Sequence, residues 1–105
     1  MTEIRFFKDN GSIVGFEISG HSTVSANDIE GKIVCSAVSS AAYLTANTLS
    51  EIVKAEIQAN VCDGYMEIKL KSKISESQVT LEGFYLHASE LANQYRNHVK
   101  VYSEV

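Results

Sequence analysis

Two dipeptides, Asn10-Gly11 and Asp63-Gly64, constrain this chain most, because each sits between two short runs of β-forming residues. Such pairs tolerate the positive φ angles of a two-residue hairpin turn, so each reads as the tip of a β-hairpin. EIRFFK and the alternating SIVGFEIS flank the first, and EIQANVC and YMEIKLK flank the second. An isolated hairpin is marginally stable in water, so both must bury a face against something else. The chain supplies two helices for that. From Ile33 to about Lys54, Val34, Ala37, Val38, Ala41, Leu44, Leu49 and Ile52 recur at helical spacing. Ser75 or Ser77 offers a cap for a second helix, with Leu81, Phe84, Ala88, Leu91, Ala92 and Tyr95 as its stripe. HVKVYSEV closes the chain as a strand. The order β-β-α-β-β-α-β predicts an α+β two-layer sandwich, a small sheet with two helices packed on it.

With 105 residues, the expectation is one domain, residues 1–105. An apolar fraction of 45% with 21% charged residues is that of a globular chain rather than a disordered one. The net charge of -4 gives no electrostatic footprint for nucleic acid, so no direct nucleic-acid partner is expected. No apolar run reaches the length of a membrane span, and MTEIRFF lacks the apolar core of a signal peptide. Two cysteines, Cys35 and Cys62, do not make a secreted disulfide framework. A reducing, cytoplasmic location without membrane association follows as the expectation.

The polar segment 20–31 is long for so small a protein, and loops of that kind often act as lids or binding loops. It carries His21 and leads to Cys35, placed in the first helical turn if the helix starts near Ile33. Open N–H groups and the dipole at a helix N-terminus favour a thiolate, the nucleophilic form of cysteine. N–H groups near residues 35 and 36 could also receive the oxyanion formed when that thiolate attacks a carbonyl. His21 could take the thiol proton and later protonate a leaving amine, provided the loop returns it to Cys35. The plainer alternatives are a small buried helix cysteine and a loop histidine without a partner. Ser39, one turn beyond Cys35, shares its face and could bond a substrate or His21, although close packing explains it and the neighbouring small residues equally.

The stretch GHS…GKIVCSAVS resembles the Gly-His…Val-Cys-Ala-Ala-Val-Ser signature of the bacterial ribosomal-processing cysteine proteases, and the likeness covers almost the whole chain. The resemblance implies a cysteine endopeptidase that removes a short N-terminal extension from the large-subunit ribosomal protein L-twenty-seven during ribosome assembly. It implies His21 and Cys35 as a catalytic dyad with Gly20 and Ser39 in motif positions beside them, no metal or cofactor, and a cytoplasmic homodimer; Ser22 and Ser36, next to the dyad in sequence, are supporting candidates. Ser22 stands where the family commonly has Ala. Lys32 stands where the family usually carries Asp three residues before the cysteine, and a cation there would favour the thiolate. Asp28, at a different offset, is the acid that could assume part of the missing role. The segment between His21 and Cys35 is slightly longer than usual and lacks a Gly-Tyr element often found there.

Two competing functions use the same residues. Lys32 in place of the acid suits a non-catalytic, ribosome-associated peptide-binding module. A redox-sensing thiol protein would use Cys35 without peptide cleavage. Elsewhere, Cys62 beside the Asp63-Gly64 turn reads as a packed or idle thiol, with no close ligand pair to suggest zinc. His87 and His98 read as helix-surface residues, and Glu51, Glu56, Glu82 and Glu90 as solvated faces. Phe84, Tyr85 and Tyr95 read as core, with a peptide groove or dimer face as the alternative.

Overall fold

A computed structural model describes residues 1–21 and 25–104. Its elements run β1 (Thr2–Asp9), β2 (Ser12–Ser19), α1 (Ile29–Asn47), a π-helical turn (Thr48–Ile52), β3 (Ile57–Cys62), β4 (Tyr65–Leu70), α2 (Gln78–Gln94) and β5 (Val99–Glu104). The expected order holds, with the π-helical turn added. One five-stranded sheet has the order β3-β4-β2-β1-β5, antiparallel throughout except where β5 lies parallel to β1. At the first hairpin Asn10 and Gly11 take φ of 51° and 81°, as the dipeptide requires.

Burial alternates along β1, with Thr2, Ile4 and Phe6 inward and Glu3, Arg5 and Phe7 facing the other way. Both helices cover that inner face. Phe6, Phe16 and Phe84 meet there, with Phe16 and Phe84 at 4.9 Å between ring centroids and Phe6 and Phe84 at 5.5 Å. Val34, Val38 and Leu49 from the first helical region and Leu81 and Ala88 from α2 complete the core. Phe84 is therefore core, with Tyr85 and Tyr95 partly buried against it. The opposite face of the sheet is polar. There the Tyr65 hydroxyl donates to Glu17 at 2.8 Å and to Glu67 at 3.4 Å. The Glu17 hydrogen bond, with desolvation and the two negative charges, pushes the phenol up to about 12.

The helix boundaries differ from the periodicity reading at both ends of α1. At its C-terminal end Thr45 and Thr48 donate their hydroxyls to Ala41 and Leu44 carbonyls, each at 2.7 Å, a back-bonding that disturbs a helical ladder. The ladder then widens, and the Val53 N–H reaches the Thr48 carbonyl at 2.9 Å. In α2 Ser77 occupies the cap position, but its hydroxyl donates backwards to the Lys73 carbonyl at 2.7 Å. Gln78 does the anchoring instead. Its side chain accepts from the Ile13 N–H at 2.8 Å and donates to the Ile13 carbonyl at 2.9 Å, tying α2 to β2.

Candidate active site

One end of the sheet gathers the chemistry. Ser19 at the end of β2 pairs with Glu3 on one side and Tyr65 on the other, while Cys62 pairs with Tyr65 and Thr2 with Val99. The Asp63-Gly64 turn, Gly20 and His21, and the start of β5 all lie at this end. The Gly20 N–H donates to the Gly64 carbonyl at 3.0 Å and adds a rung beyond the β2–β4 ladder. That rung sets the His21 ring against Gly64. A Cβ at Gly64 would stand 2.9 Å from His21 Nε2, and Gly64 takes φ of 71°. A glycine serves both needs at once.

Asp28 starts the helix that carries Cys35. Its Oδ1 accepts the Gly31 N–H at 2.9 Å, and its backbone carbonyl accepts the Lys32 N–H at 3.1 Å. With Ile29 as the first helical residue, Cys35 stands in the second turn and not the first. The expected helix-end electrostatics therefore do not apply, because the dipole effect falls off within the first turn. Nor are the residue 35 and 36 amides available to an oxyanion. In an α-helix they donate to the carbonyls four residues back, those of Gly31 and Lys32.

A cleft of about 520 Å³ separates α1 from the β3–β4 turn. On the helix wall stand Cys35, Ser36, Ser39 and Tyr43, and the facing wall is the chain from Val61 to Met66. Gly20 and His21 close the end formed by β2. Cys35 is half-buried, at the seam between the packed stripe of α1 and the solvent, while His21, Ser36 and Ser39 are exposed. The cleft thus brings together five of the expected site residues: Gly20, His21, Cys35, Ser36 and Ser39. It does not include Asp28, which caps the helix, or Lys32, which is exposed on it. Ser22 lies outside the described residues. Among the described residues no carboxylate forms an ion pair with His21, and no group of His, Cys, Asp or Glu could hold a metal.

Three cleft features had no local signal. Tyr43, Val61 and the backbone of Gly64 reach the site only because α1 crosses from β2 to the sheet edge at β3. Cys62 is exposed on the cleft rim rather than packed, and neither cysteine is in a disulfide. His87 is exposed as expected, whereas His98 is buried, 9% exposed, in the turn before β5. Its Nε2 stands 3.1 Å from Asp28 Oδ2.

Several solved structures share this fold. A protein from Streptococcus mutans, SMU.848, superposes with a TM-score of 0.85 at 26% identity, over 99% of this chain and 94% of its own. The essential ribosomal processing protease Prp from S. aureus, in complex with a substrate peptide, superposes with a TM-score of 0.86 at 16% identity. A second structure of it, with a covalently linked product peptide, gives 0.84 at 17% identity. Both cover 99% of this chain and 100% of theirs. No curated protein matches the sequence. The family model described as cysteine protease Prp matches residues 1–100, and the chain belongs to that family of cysteine proteases.

Proposed function

We propose that this protein is a cysteine endopeptidase that trims a short N-terminal extension from the large-subunit ribosomal protein L-twenty-seven. The observation that carries the reading is that His21 and Cys35, which come from different elements, line one open cleft. In this reading the Cys35 thiolate attacks the scissile carbonyl carbon, and electrons move onto the carbonyl oxygen. His21 gives its proton to the leaving amine, and water then hydrolyses the thioester to release the acid and restore the thiol. Since the helix uses its own amides at 35 and 36, oxyanion stabilisation falls to side-chain donors, with the Ser36 and Ser39 hydroxyls on the same wall. The substrate enters as an extended strand along the rim, where β3 is the sheet's edge and offers unpaired backbone groups. Such hydrolysis needs no metal or cofactor. By the same family likeness the enzyme works in the cytoplasm as a homodimer.

The test is incubation of the purified protein with L-twenty-seven with and without its extension, read by intact mass. Shortening of the extended form alone is expected. Tight binding of the extension without a shortened product would sink the protease reading in favour of a peptide-binding module. Oxidation of Cys35 and Cys62 without any cleavage would favour a redox thiol.

Gly64 supplies a sharper check on His21. Gly64→Ala forces a Cβ toward the imidazole and leaves Ala at φ of 71°. The backbone strain costs about 1–2 kcal/mol of stability. Cleavage should fall about tenfold or more even where the variant is fully folded, since misplaced reacting groups lose rate steeply. Unchanged turnover in a folded Gly64→Ala protein would remove His21 from the proposed role.

A further inference from the structure

We propose that His98 is a positioning residue for the Cys35–His21 pair, an inference that rests on the proposed peptidase reading. His98 is one of four buried polar or charged residues among those described. It connects the two halves of the site by separate routes. Its side chain reaches the nucleophile's helix: Nε2 is 3.1 Å from Asp28 Oδ2, while Asp28 Oδ1 accepts the Gly31 N–H in the first turn of α1. One carboxylate thus caps the helix of Cys35 and meets the imidazole across a sequence separation of 70 residues.

The backbone of His98 reaches the other half. Its carbonyl accepts the Thr2 N–H at 2.8 Å, and its N–H donates to the Tyr95 carbonyl at 2.9 Å. Met1 and Thr2 lie directly against Gly20, where an added Cβ would collide with the Met1 carbonyl oxygen. Gly20 in turn precedes His21 and bonds Gly64. Moving His98 therefore shifts both the start of α1 and the support beneath the histidine.

The chemistry of the contact is directional. An ionised Asp28 carboxylate can only accept, so Nε2 is the donor in that contact. Nδ1 is buried without a hydrogen-bond partner, with Glu30 Oε1 at 3.7 Å. A buried imidazole costs desolvation that an apolar residue would avoid, and the Asp28 contact offsets it while fixing one geometry. Packing alone would be served equally by leucine.

The experiment compares His98→Leu, His98→Gln and Asp28→Asn, with His98→Leu/Asp28→Asn, in the full chain at temperatures where circular dichroism shows each folded. His98→Leu should lower kcat for the extended L-twenty-seven about tenfold, with KM within about twofold, because the loss lies in alignment. His98→Gln keeps a donor toward Asp28 and should recover to within about threefold of wild type, as a hydrogen-bond role requires. Adding Asp28→Asn, which keeps a competent cap, should cost less in the His98→Leu background than in wild type, as coupling between the two requires. Wild-type turnover in His98→Leu, or no recovery in His98→Gln, overturns the proposal. The rate at which iodoacetamide alkylates Cys35 keeps the two readings apart. If wild type cleaves nothing, the peptidase reading fails. The positioning role then stands only if His98→Leu slows alkylation as His21→Ala does, and equal rates in wild type and His98→Leu overturn it.

Discussion

Replacing Cys35 by Ala should leave less than about a thousandth of wild-type cleavage, because no second group on the helix wall can form the thioester. Ser36 and Ser39 share the cleft, but hydroxyls are far weaker nucleophiles than a thiolate at neutral pH. Cys62 is the only other thiol in the chain. It stands at the end of β3, on the wall facing α1. His21→Ala should cost between about a hundredfold and ten-thousandfold, the range for losing a positioned acid–base group. The double variant should be scarcely worse than Cys35→Ala, since the two act as a unit. Stability should change by less than about 0.5 kcal/mol for His21→Ala, an exposed side chain. Intact-mass time courses give the rates and urea melts the stabilities. If Cys35→Ala still cuts while Cys62→Ala does not, the nucleophile has been misassigned.

The largest effect on stability is expected at Phe6. Its ring is 0% exposed and touches Phe16, Phe84 and Tyr85, with centroids at 6.2, 5.5 and 4.9 Å. Phe6→Ala removes the side chain at which β1, β2 and α2 meet, and leaves a cavity in a close-packed core. The loss should be about 3–5 kcal/mol, a large share of the roughly 5–15 kcal/mol that holds a typical domain folded. Urea denaturation followed by far-UV circular dichroism measures it. A loss under about 1 kcal/mol would mean that the sheet and α2 are not packed through this ring.

The strands and their turns were legible because their signals are local. Asn10-Gly11 and Asp63-Gly64 need no distant partner to favour a turn, and alternation names the buried face of β1. The start of α1 was not legible, for a reason residue 31 makes plain. Gly31 reads as loop because glycine weakens a helix interior, yet here its N–H is the one that Asp28 captures, and it is buried. That one capping bond moves the helix start to Ile29 and carries Cys35 out of the first turn. His21 and Cys35 could be named from their residue types and a family likeness. The facing wall of the cleft and the burial of His98 depend on contacts between segments far apart in the chain, which no local pattern encodes. The polar side chain of Lys32, conspicuous in the sequence, ends on the solvent side of α1 and outside the cleft.

The parallel pairing of β5 with β1 sets Val99 beside Thr2 and Glu104 beside Phe7, so β5 leaves the cleft end and runs toward the Asn10-Gly11 turn. Asp9 and Asn10 are exposed at that tip, whereas Gly11, at φ of 81°, would be strained by any side chain. Either of those two side chains is therefore the place to hang a fluorophore or an affinity handle, at the end of the sheet away from Cys35. A handle built onto Met1 would instead emerge beside Gly20, at the cleft end of the sheet.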